Sequence, residues 1–378
     1  ELEEKLAIRP TSETIIGYMF AKWIDSYRDL PVKINQWANV MRWEKVTRPF
    51  LRTTEFLWQE GHTAHRTHEE AKEEVMTMLK VYQDFVEHDL AIPLVTGEKS
   101  QKEKFAGAVN TYTIEALMPD GQALQSGTSH DLGQNFAKAF DVQFLDSDGT
   151  HKNVWSTSWG ISTRIIGALI MVHGDDKGLR LPPRIAPTQA VVIPIVNKTA
   201  ADAVNAKANE LAKRLAAAGI RVECDDRDGF RPGWKYSEYE MKGVPIRIEI
   251  GPRDLESNVA TLVKRVNGEK STESLHDLVK KIPSILRDIH EAMYQKALKH
   301  LEENITEVHS VEELKAVLDK GGYAKMMWCG DVECEDKVKE ITNGGTSRCM
   351  PFDQKPIGDT CPICGKKATK VVYFAKAY

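Results

Sequence analysis

Permanent positive charges cluster in the segment 39–60, in a pattern that could bind phosphate. Arg42 closes an apolar run that is typical of a strand, and a polar loop with Lys45 and Arg48 follows it. A second run then returns through Arg52. A strand, a basic loop and a strand aim guanidinium groups into one cleft. Because guanidinium stays charged and contacts phosphate through paired hydrogen bonds, we expect a planar, phosphate-bearing ligand there.

Four cysteines near the C-terminus form two close pairs, Cys329 with Cys334 and Cys361 with Cys364. Two such pairs are the usual layout of a tetrahedral zinc site. With four thiolates no coordination position stays open, so the predicted zinc is structural and not catalytic. Cys224 lies in a predicted strand and is expected in the core.

Three histidines, His62, His65 and His68, precede a pair of glutamates and could suggest a second metal site. Their spacing of three residues spreads the rings around a helix and does not bring them to one face. We therefore predict no metal at these histidines.

Composition excludes little. The chain has 378 residues, of which 42% are hydrophobic, and its length favours two or three domains. The net charge of -4 leaves only a local patch for nucleic acid. No apolar run is long enough for a membrane span, no leader is evident, and the cysteine pattern suits a reducing compartment, so we expect a cytoplasmic protein. No phosphate loop of the G-x-x-x-x-G-K-[ST] type occurs.

The elements that must position these groups fall into three predicted domains, 1–186, 187–291 and 292–378. The first carries one long amphipathic helix at 68–89. The second alternates strands and a helix, which predicts a small α/β domain with a mixed or parallel sheet. Its predicted elements are strands at 191–196, 220–224, 246–250 and 259–266 and a helix at 200–218. The third begins with a helix and has a small core, where a structural metal is useful.

Several strings, in this order along the chain, resemble the prolyl-tRNA synthetases, a family of class II aminoacyl-tRNA synthetases. The strings are 9–13, 39–60, 104–107, 125–130, 159–164, 233–254 and the cysteine pairs. The resemblance covers essentially the whole chain. Too few residues separate Glu60 from Gln125 for an editing insertion, which points to the archaeal/eukaryotic-type subfamily. It implies an overall α/β fold with an α+β catalytic domain on an antiparallel sheet, an α/β anticodon-binding domain and a small α+β zinc-binding domain.

The resemblance also implies a reaction and its residues. L-proline and ATP with Mg²⁺ would give prolyl-adenylate, and proline would pass to the 3′ end of tRNA(Pro). Arg42 and Arg164 would be catalytic, and the Gln125 backbone would lie near Mg²⁺. The implied ATP-binding residues are Arg42, Glu44, Arg52, Thr53, Gln125, Thr128, Ser162 and Arg164. The implied proline-binding residues are Thr11, Glu13, Arg42, Phe56, Trp58, His62, Phe105 and His130, with Trp159 as a further wall or a core residue.

For tRNA, the resemblance implies anticodon contacts by Glu240, Arg247, Arg253 and Asp254, although each could equally be a solvated charge at a sheet edge. Cys349 matches a position that does not bind metal. The family's first motif, which builds a homodimer interface, would precede Glu1, so we expect a homodimer through that region.

Two alternatives stay open. The chain could be a catalytically silent, tRNA-binding paralogue or fragment of the same fold. It could also be another class IIa enzyme such as the threonyl type, but the first domain lacks the cysteine and paired histidines of the threonyl pocket zinc.

Overall fold

The computed structural model describes residues 3–197 and 199–378. The chain forms two compact units. The first comprises Glu1–Phe85, Leu94–Ala168 and Leu301–Tyr378, and the second comprises Val86–Pro93 and Leu169–His300.

The helices are α1 (Ser12–Trp23), α2 (His68–Asp84), α3 (Asn135–Ala139), α4 (Arg164–His173), α5 (Ala201–Ala217), α6 (Pro232–Lys242), α7 (Pro252–Glu256), α8 (Leu278–Glu303), α9 (Val311–Lys320) and α10 (Val332–Ile341). The strands of the first unit are β1 (Val32–Met41), β2 (Glu55–His65), β3 (Val95–Glu98), β4 (Asn110–Leu117), β5 (Ala123–Gly133), β6 (Gln143–Leu145), β7 (His151–Asn153) and β8 (Trp155–Ser162), followed after the second unit by β14 (Ile305–Glu307), β15 (Tyr323–Trp328), β16 (Thr346–Pro351) and β17 (Lys370–Ala375). The strands of the second unit are β9 (Ala190–Pro194), β10 (Val222–Cys224), β11 (Ile246–Ile250), β12 (Val259–Lys264) and β13 (Lys270–Ser274).

One large sheet organises the first unit, in the order β1-β2-β8-β5-β4-β3-β16-β17-β15-β14. From β1 to β3 every neighbouring pair is antiparallel, as expected for the catalytic domain. Helix α2 packs on this sheet. Its N-terminus is closed by a capping box in which Thr67 accepts from the Glu70 N–H and the Glu70 carboxylate binds the Thr67 N–H.

The C-terminal strands continue the same sheet through a short pairing of β3 with β16, in which Met350 faces Glu98 and Pro351 faces Gly97. A Cβ atom on Gly97 would lie only 2.0 Å from the Met350 carbonyl oxygen. Glycine is therefore needed at this position for the two backbones to approach.

The second unit has a five-stranded mixed sheet in the order β10-β9-β11-β12-β13. The pairs β10–β9 and β9–β11 are parallel, whereas β11–β12 and β12–β13 are antiparallel. Every residue of β9 and β11 is buried because helices and loops cover both faces. Gly219 follows α5 with a φ of +83°, a left-handed conformation that glycine adopts readily directly after a helix.

Two predicted helices differ in extent from those observed. The amphipathic helix at 68–89 is α-helical only to Asp84 and finishes as a π-helical turn at Phe85–Asp89. The helix expected to begin the third domain at residue 292 begins instead at Leu278. Leu278, Ile282, Leu286, Ile289 and Met293 recur at helical spacing and are buried in one core, so the helix runs through the predicted boundary.

Within the residues that the structure describes, no helix combines the length and the apolar character that crossing a membrane requires.

Candidate active site

Three central strands form the floor of a cleft in the first unit. Their register places Gly160 of β8 between Glu60 of β2 and Thr128 of β5. Two residues before Gly160 on β8, Ser158 lies between His62 of β2 and His130 of β5. Because Gly160 has no side chain, the middle of this floor stays open between a carboxylate and a hydroxyl.

Arg42 borders the cleft directly after the end of β1. Its N–H donates to the Thr54 carbonyl oxygen at 2.8 Å, which ties the loop between β1 and β2 together. Its guanidinium lies 5.3 Å from the centre of the Phe56 ring and 6.0 Å from that of Trp58. Two aromatic rings of β2 therefore hold this exposed arginine toward the cleft.

Arg164 borders the cleft at the first residue of α4. Its Nε donates to the Leu51 carbonyl oxygen at 3.0 Å, and its Nη1 donates to the Gln125 carbonyl oxygen at 3.4 Å. Burial lowers the pKa of Arg164, and the positive charges of Arg52 and Arg42 lower it further. Arg42 and Arg164 border the cleft and Arg52 lies close enough for its charge to act on Arg164, so an anion bound there would be stabilised.

The predicted position of Arg52 on the return strand is wrong, since β2 begins only at Glu55. Arg52 lies in the loop, where its N–H donates to the Arg48 carbonyl oxygen at 3.0 Å and its carbonyl accepts from the Arg48 N–H at 2.7 Å. Phe50, with a φ of 59°, makes the tight turn between them. The loop is thus a small hairpin of its own, which an uninterrupted strand would not allow.

Tyr378 contacts this loop, a partner that the motif-based analysis missed. Its carbonyl oxygen accepts from Arg52 Nη2 at 3.0 Å, and its ring centre lies 5.2 Å from the Arg48 guanidinium. The Tyr378 hydroxyl binds the Asp120 carboxylate. Nothing in the local sequence signals this contact, because it joins residues more than 250 positions apart.

Glu13 supplies negative charge to the cleft. Its carboxylate accepts hydrogen bonds from Thr11 and, at 2.9 Å, from Ser158 Oγ. Nearby, His130 lies 5.0 Å, centre to centre, from the ring of Phe105. Burial lowers the pKa of His130 to about 4, so its imidazole is neutral at pH 7 and leaves the charge of Glu13 uncancelled.

Glu60 is a cleft residue that the sequence analysis did not name as a site residue. It is 4% exposed and accepts from Ser12 Oγ at 2.6 Å and from Gln36, while His62 Nε2 lies 2.9 Å from its second oxygen. Burial opposes its ionisation, but these hydrogen bonds outweigh burial and hold the pKa of Glu60 below its usual range. Its two-residue spacing from Trp58 and His62 on one strand is the signal that could have identified it.

The pocket brings together many of the predicted residues, namely Glu13, Arg42, Phe56, Trp58, Gln125, Thr128, His130, Ser162 and Arg164, with Trp159 also in its wall. The predicted residues that do not line it are Thr11, Glu44, Arg52, Thr53, His62 and Phe105. Thr11, His62 and Phe105 lie behind the lining, in contact with Glu13, Glu60 and His130.

Glu44 and Thr53 lie in the loop between β1 and β2. A Glu44 oxygen is 3.7 Å from Arg52 Nη1, and Thr53 Oγ1 donates to the Glu55 carbonyl oxygen at 2.7 Å. Through these contacts, both side chains stabilise the conformation of the loop.

The helix assumed for the three histidines is wrong. His62 and His65 lie on β2, and only His68 is helical, as the first residue of α2. The His68 ring is instead stacked on Trp155 at 4.1 Å between centres, and its Nε2 lies 2.7 Å from an Asp131 oxygen.

Four thiols converge in the C-terminal part of the first unit. The sulfur atoms of Cys329, Cys334, Cys361 and Cys364 all lie within 4.8 Å of one another, and Cys329 is 3.6 Å from Cys334 and 3.7 Å from Cys364. A tetrahedron with zinc–sulfur bonds of about 2.3 Å has sulfur–sulfur edges of about 3.8 Å, so the four thiols fit such an ion. Cys349 is fully buried on β16 and does not belong to this cluster.

In the second unit, three of the four predicted anticodon residues, Glu240, Arg247 and Asp254, contact other parts of the fold. Arg247 Nε donates to Glu249 at 2.8 Å, its Nη1 lies 3.6 Å from Glu240, and its guanidinium lies 4.1 Å from the Tyr236 ring centre. Asp254 accepts from the Gly251 N–H at 2.8 Å at the start of α7.

Arg253, the remaining predicted anticodon residue, is exposed on α7.

An aromatic stack near the start of α6 was not predicted. The Phe230 and Trp234 rings are 4.3 Å apart and 26° from parallel, and both are partly exposed, at 43% and 48%. Arg227 lies 5.0 Å and 5.5 Å from their centres. An exposed stacked pair with a cation over its rings is suited to contact with nucleic acid bases.

Comparison with known proteins assigns three regions. Residues 1–173 match the family described as the tRNA synthetase class II core domain (G, H, P, S and T), residues 189–285 match the anticodon binding domain, and residues 311–378 match the prolyl-tRNA synthetase C-terminal family.

Two similar proteins share one name, and each aligns with the whole of this chain. "Proline--tRNA ligase" from Alkaliphilus oremlandii is 55% identical over 379 residues, which cover 100% of this chain and 78% of that protein. The protein of the same name from Symbiobacterium thermophilum is 55% identical, with coverage of 100% and 79%.

A crystal structure of prolyl-tRNA synthetase from Cryptosporidium parvum, complexed with L-proline and AMP, superposes with a TM-score of 0.96 at 45% identity and covers 100% of this chain and 79% of the other. On this similarity in sequence, fold and domain order, the chain belongs to the prolyl-tRNA synthetase family.

Proposed function

We propose that the protein activates L-proline with ATP to form prolyl-adenylate and transfers proline to the 3′ end of tRNA(Pro). The observation that carries the proposal is the charge layout of the cleft. Arg42 and Arg164 border one pocket whose lining also contains the carboxylate of Glu13. Such a layout suits a substrate with an ammonium at one end and a carboxylate that must meet a phosphate at the other.

The proline end of the cleft follows from the chemistry of the ligand. Proline has a protonated secondary amine, and Glu13 offers an anion for it while Thr11 and Ser158 hold that carboxylate in place. Phe56, Trp58 and the neutral ring of His130 would provide an apolar wall for the pyrrolidine.

Adenylate formation needs charge stabilisation more than proton transfer. An oxygen of the proline carboxylate attacks the α-phosphorus, the bond from that phosphorus to the bridging oxygen breaks, and pyrophosphate leaves. Arg42 would hold the carboxylate and α-phosphate together, and Arg164 would bind the terminal phosphate. Arg52, Thr53, Glu44, Gln125, Thr128 and Ser162 would complete the nucleotide site.

In the second step a terminal ribose hydroxyl of tRNA attacks the prolyl carbonyl carbon, the bond from that carbon to the phosphate oxygen breaks, and AMP leaves as the hydroxyl proton passes to its phosphate or to water. No side chain has to form a covalent intermediate in either step. Positioning of the two substrates therefore carries the catalysis.

Two metal ions belong to the proposal. Mg²⁺ would neutralise the ATP phosphates near the Gln125 carbonyl, which accepts from Arg164 at 3.4 Å and, like any carbonyl oxygen, has a second lone pair. Zn²⁺ would be held by Cys329, Cys334, Cys361 and Cys364 and would stabilise the C-terminal part of the fold.

For tRNA, we propose that Glu240 and Arg247 read anticodon bases from the second unit. Both line one pocket there. Arg253 and Asp254 would contribute from α7. Acidic side chains can accept from guanine N1 and N2, and arginine can reach guanine O6 and N7 or a phosphate.

We also propose a homodimer, supported by an apolar face on β1 and β2. Trp37 is 82% exposed and Leu57 is 61% exposed, and both line a cavity of about 800 Å³ together with Phe85 and Ile166. A patch of this kind marks an interaction site, which we assign to a second copy of the chain. The proposed location is the cytoplasm, where tRNA and ATP are available.

Proline-dependent ATP–pyrophosphate exchange tests the proposed activity. The protein should incorporate labelled pyrophosphate into ATP when L-proline and Mg²⁺ are present, and threonine should not replace proline. Tight binding of tRNA(Pro) without any exchange would instead identify a silent tRNA-binding paralogue, and exchange with threonine in preference to proline would identify a threonyl-type enzyme.

A further inference from the structure

A buried ion cluster lies beside the cleft but contains none of the residues assigned to substrates. The Glu115 carboxylate on β4 is completely buried. One of its oxygens accepts from Lys99 Nζ and Thr113 Oγ1, both at 3.0 Å. The other accepts from Arg348 Nη2 at 2.9 Å and Nε at 3.1 Å.

The cluster carries one net positive charge, because Lys99 and Arg348 face a single carboxylate. Burial opposes ionisation of Glu115, but the charges of Arg348 and Lys99 outweigh it and keep its pKa below the usual range. Buried ion pairs rarely add stability relative to an apolar substitute. A cluster of this kind therefore calls for a role other than stability.

Three direct contacts connect Arg348 to the nucleotide site. Arg348 binds Glu115, and Glu115 is the partner of Gln125 across β4 and β5. The Gln125 carbonyl oxygen in turn accepts from Arg164. The pairing is irregular at this point: Ile114 faces Gly127 and the next residue faces Gln125, so β5 bulges beside the cleft.

Charge provides a second connection. Besides burial, the positive charges of Arg52, Arg42 and Arg348 lower the pKa of Arg164. The negative charge of Glu115 raises it. The net charge of the buried cluster therefore acts on Arg164, in addition to the chain of contacts that connects them.

We propose that Arg348, on β16 of the C-terminal part of the chain, is a positioning residue for ATP. It offsets the negative charge of Glu115 beside Gln125 and thereby keeps the potential at Arg164 positive. The inference rests on the proposed function, since it concerns the affinity for ATP in proline activation.

The test follows the net charge of the cluster through a set of variants in proline-dependent ATP–pyrophosphate exchange. Arg348→Met lowers the charge to zero and should raise the KM for ATP roughly three- to tenfold, the size of effect of one unit charge within about 10 Å at intermediate dielectric. The double variant Arg348→Met/Glu115→Gln restores one positive charge and should return the KM for ATP towards that of the unmodified protein. Arg348→Lys keeps the charge and should change this KM by less than about twofold, and Glu115→Gln alone should not raise it.

The KM for proline and the melting temperature are the matched readouts. A merely structural role for Arg348 would change both KM values together, and the double variant would be at least as impaired as Arg348→Met. Either result, or an unchanged KM for ATP in Arg348→Met, would overturn the inference. If Arg348→Met does not fold, a raised KM for ATP in Arg348→Lys or in the double variant overturns it, and an unaltered one supports it.

The two proposals fail in different ways. If the unmodified protein shows no proline-dependent exchange, the proposed function fails. If it shows exchange but the variants do not follow the charge of the cluster, only the role of Arg348 fails.

Discussion

Replacing Arg42 with alanine should separate catalysis from stability in this protein. Arg42 is exposed, and its guanidinium lies over the rings of Phe56 and Trp58. Its structural backbone contact, the hydrogen bond to Thr54, does not need the side chain. The variant should therefore fold, while the cleft loses one of its two bordering guanidinium groups.

The two effects differ in size. Exposed cation–π contacts are worth about 0.5–1 kcal/mol, so the free energy of unfolding should fall by about 1 kcal/mol. Loss of a preorganised donor to a developing negative charge costs about 2.7–4 kcal/mol, which corresponds to a 10²–10³-fold lower rate of adenylate formation.

Pyrophosphate exchange and urea denaturation on the same preparation would measure both quantities. Arg28→Ala is the matched control, because the Arg28 guanidinium also lies on an aromatic ring, 5.7 Å from the centre of Tyr27, but outside the cleft. That control should retain normal exchange. Exchange within about threefold of normal in the Arg42 variant would refute the role assigned to this arginine, and a large loss in the Arg28 control would show that the assay reports folding.

Other predictions concern the Glu60 carboxylate, the thiols, the aromatic stack and Tyr378. Glu60→Gln should lower the free energy of unfolding at pH 7 by about 1.5–3 kcal/mol, because an amide group replaces a charged acceptor. Folding lowers the pKa of Glu60, so the contribution of its charge is complete above about pH 4.5 and is lost as the pH falls through the folded pKa. Urea melts over a falling pH series should therefore show a shrinking difference from the unmodified protein, and a difference that grows as the pH falls would contradict this account. Cys361→Ser should reduce bound zinc, measured by atomic emission, and lower the melting temperature; equal zinc content in both proteins would exclude the site. Trp234→Ala should weaken tRNA(Pro) binding by about 1–3 kcal/mol in a filter assay and leave proline-dependent exchange intact, whereas unchanged binding would remove the stack from the tRNA surface. Removal of Tyr378 should raise the KM for ATP, because Arg52 loses its carbonyl partner, and an unaltered ATP titration would argue against this support.

Motifs along the sequence predicted the composition of the cleft well where short segments carry several of its groups. The segment 125–130 supplies Gln125, Thr128 and His130, all of which line the pocket. Their spacing on one strand is local information, and local pattern is what a single sequence contains.

Local sequence patterns do not reveal contacts between segments that are far apart in the chain. Arg52 was placed on a strand because the residues around it are apolar, but its hairpin with Arg48 and its contact with Tyr378 depend on how the C-terminal strands join the sheet. Glu60 would have required attention to strand alternation and not to motif identity. The extent of α8 was missed because a boundary was assigned by composition, whereas core packing of its apolar residues decides where the helix begins.

The pairing of β3 with β16 has a practical consequence for dissecting the protein. A chain cut before β14 would leave the outer side of β3 without its neighbour, and its N–H and C=O groups would be open to any other strand. Gly97 has no side chain to block such an approach. An isolated catalytic fragment would consequently tend to aggregate in the test tube, and keeping β16 and β17 attached is the simplest way to avoid it.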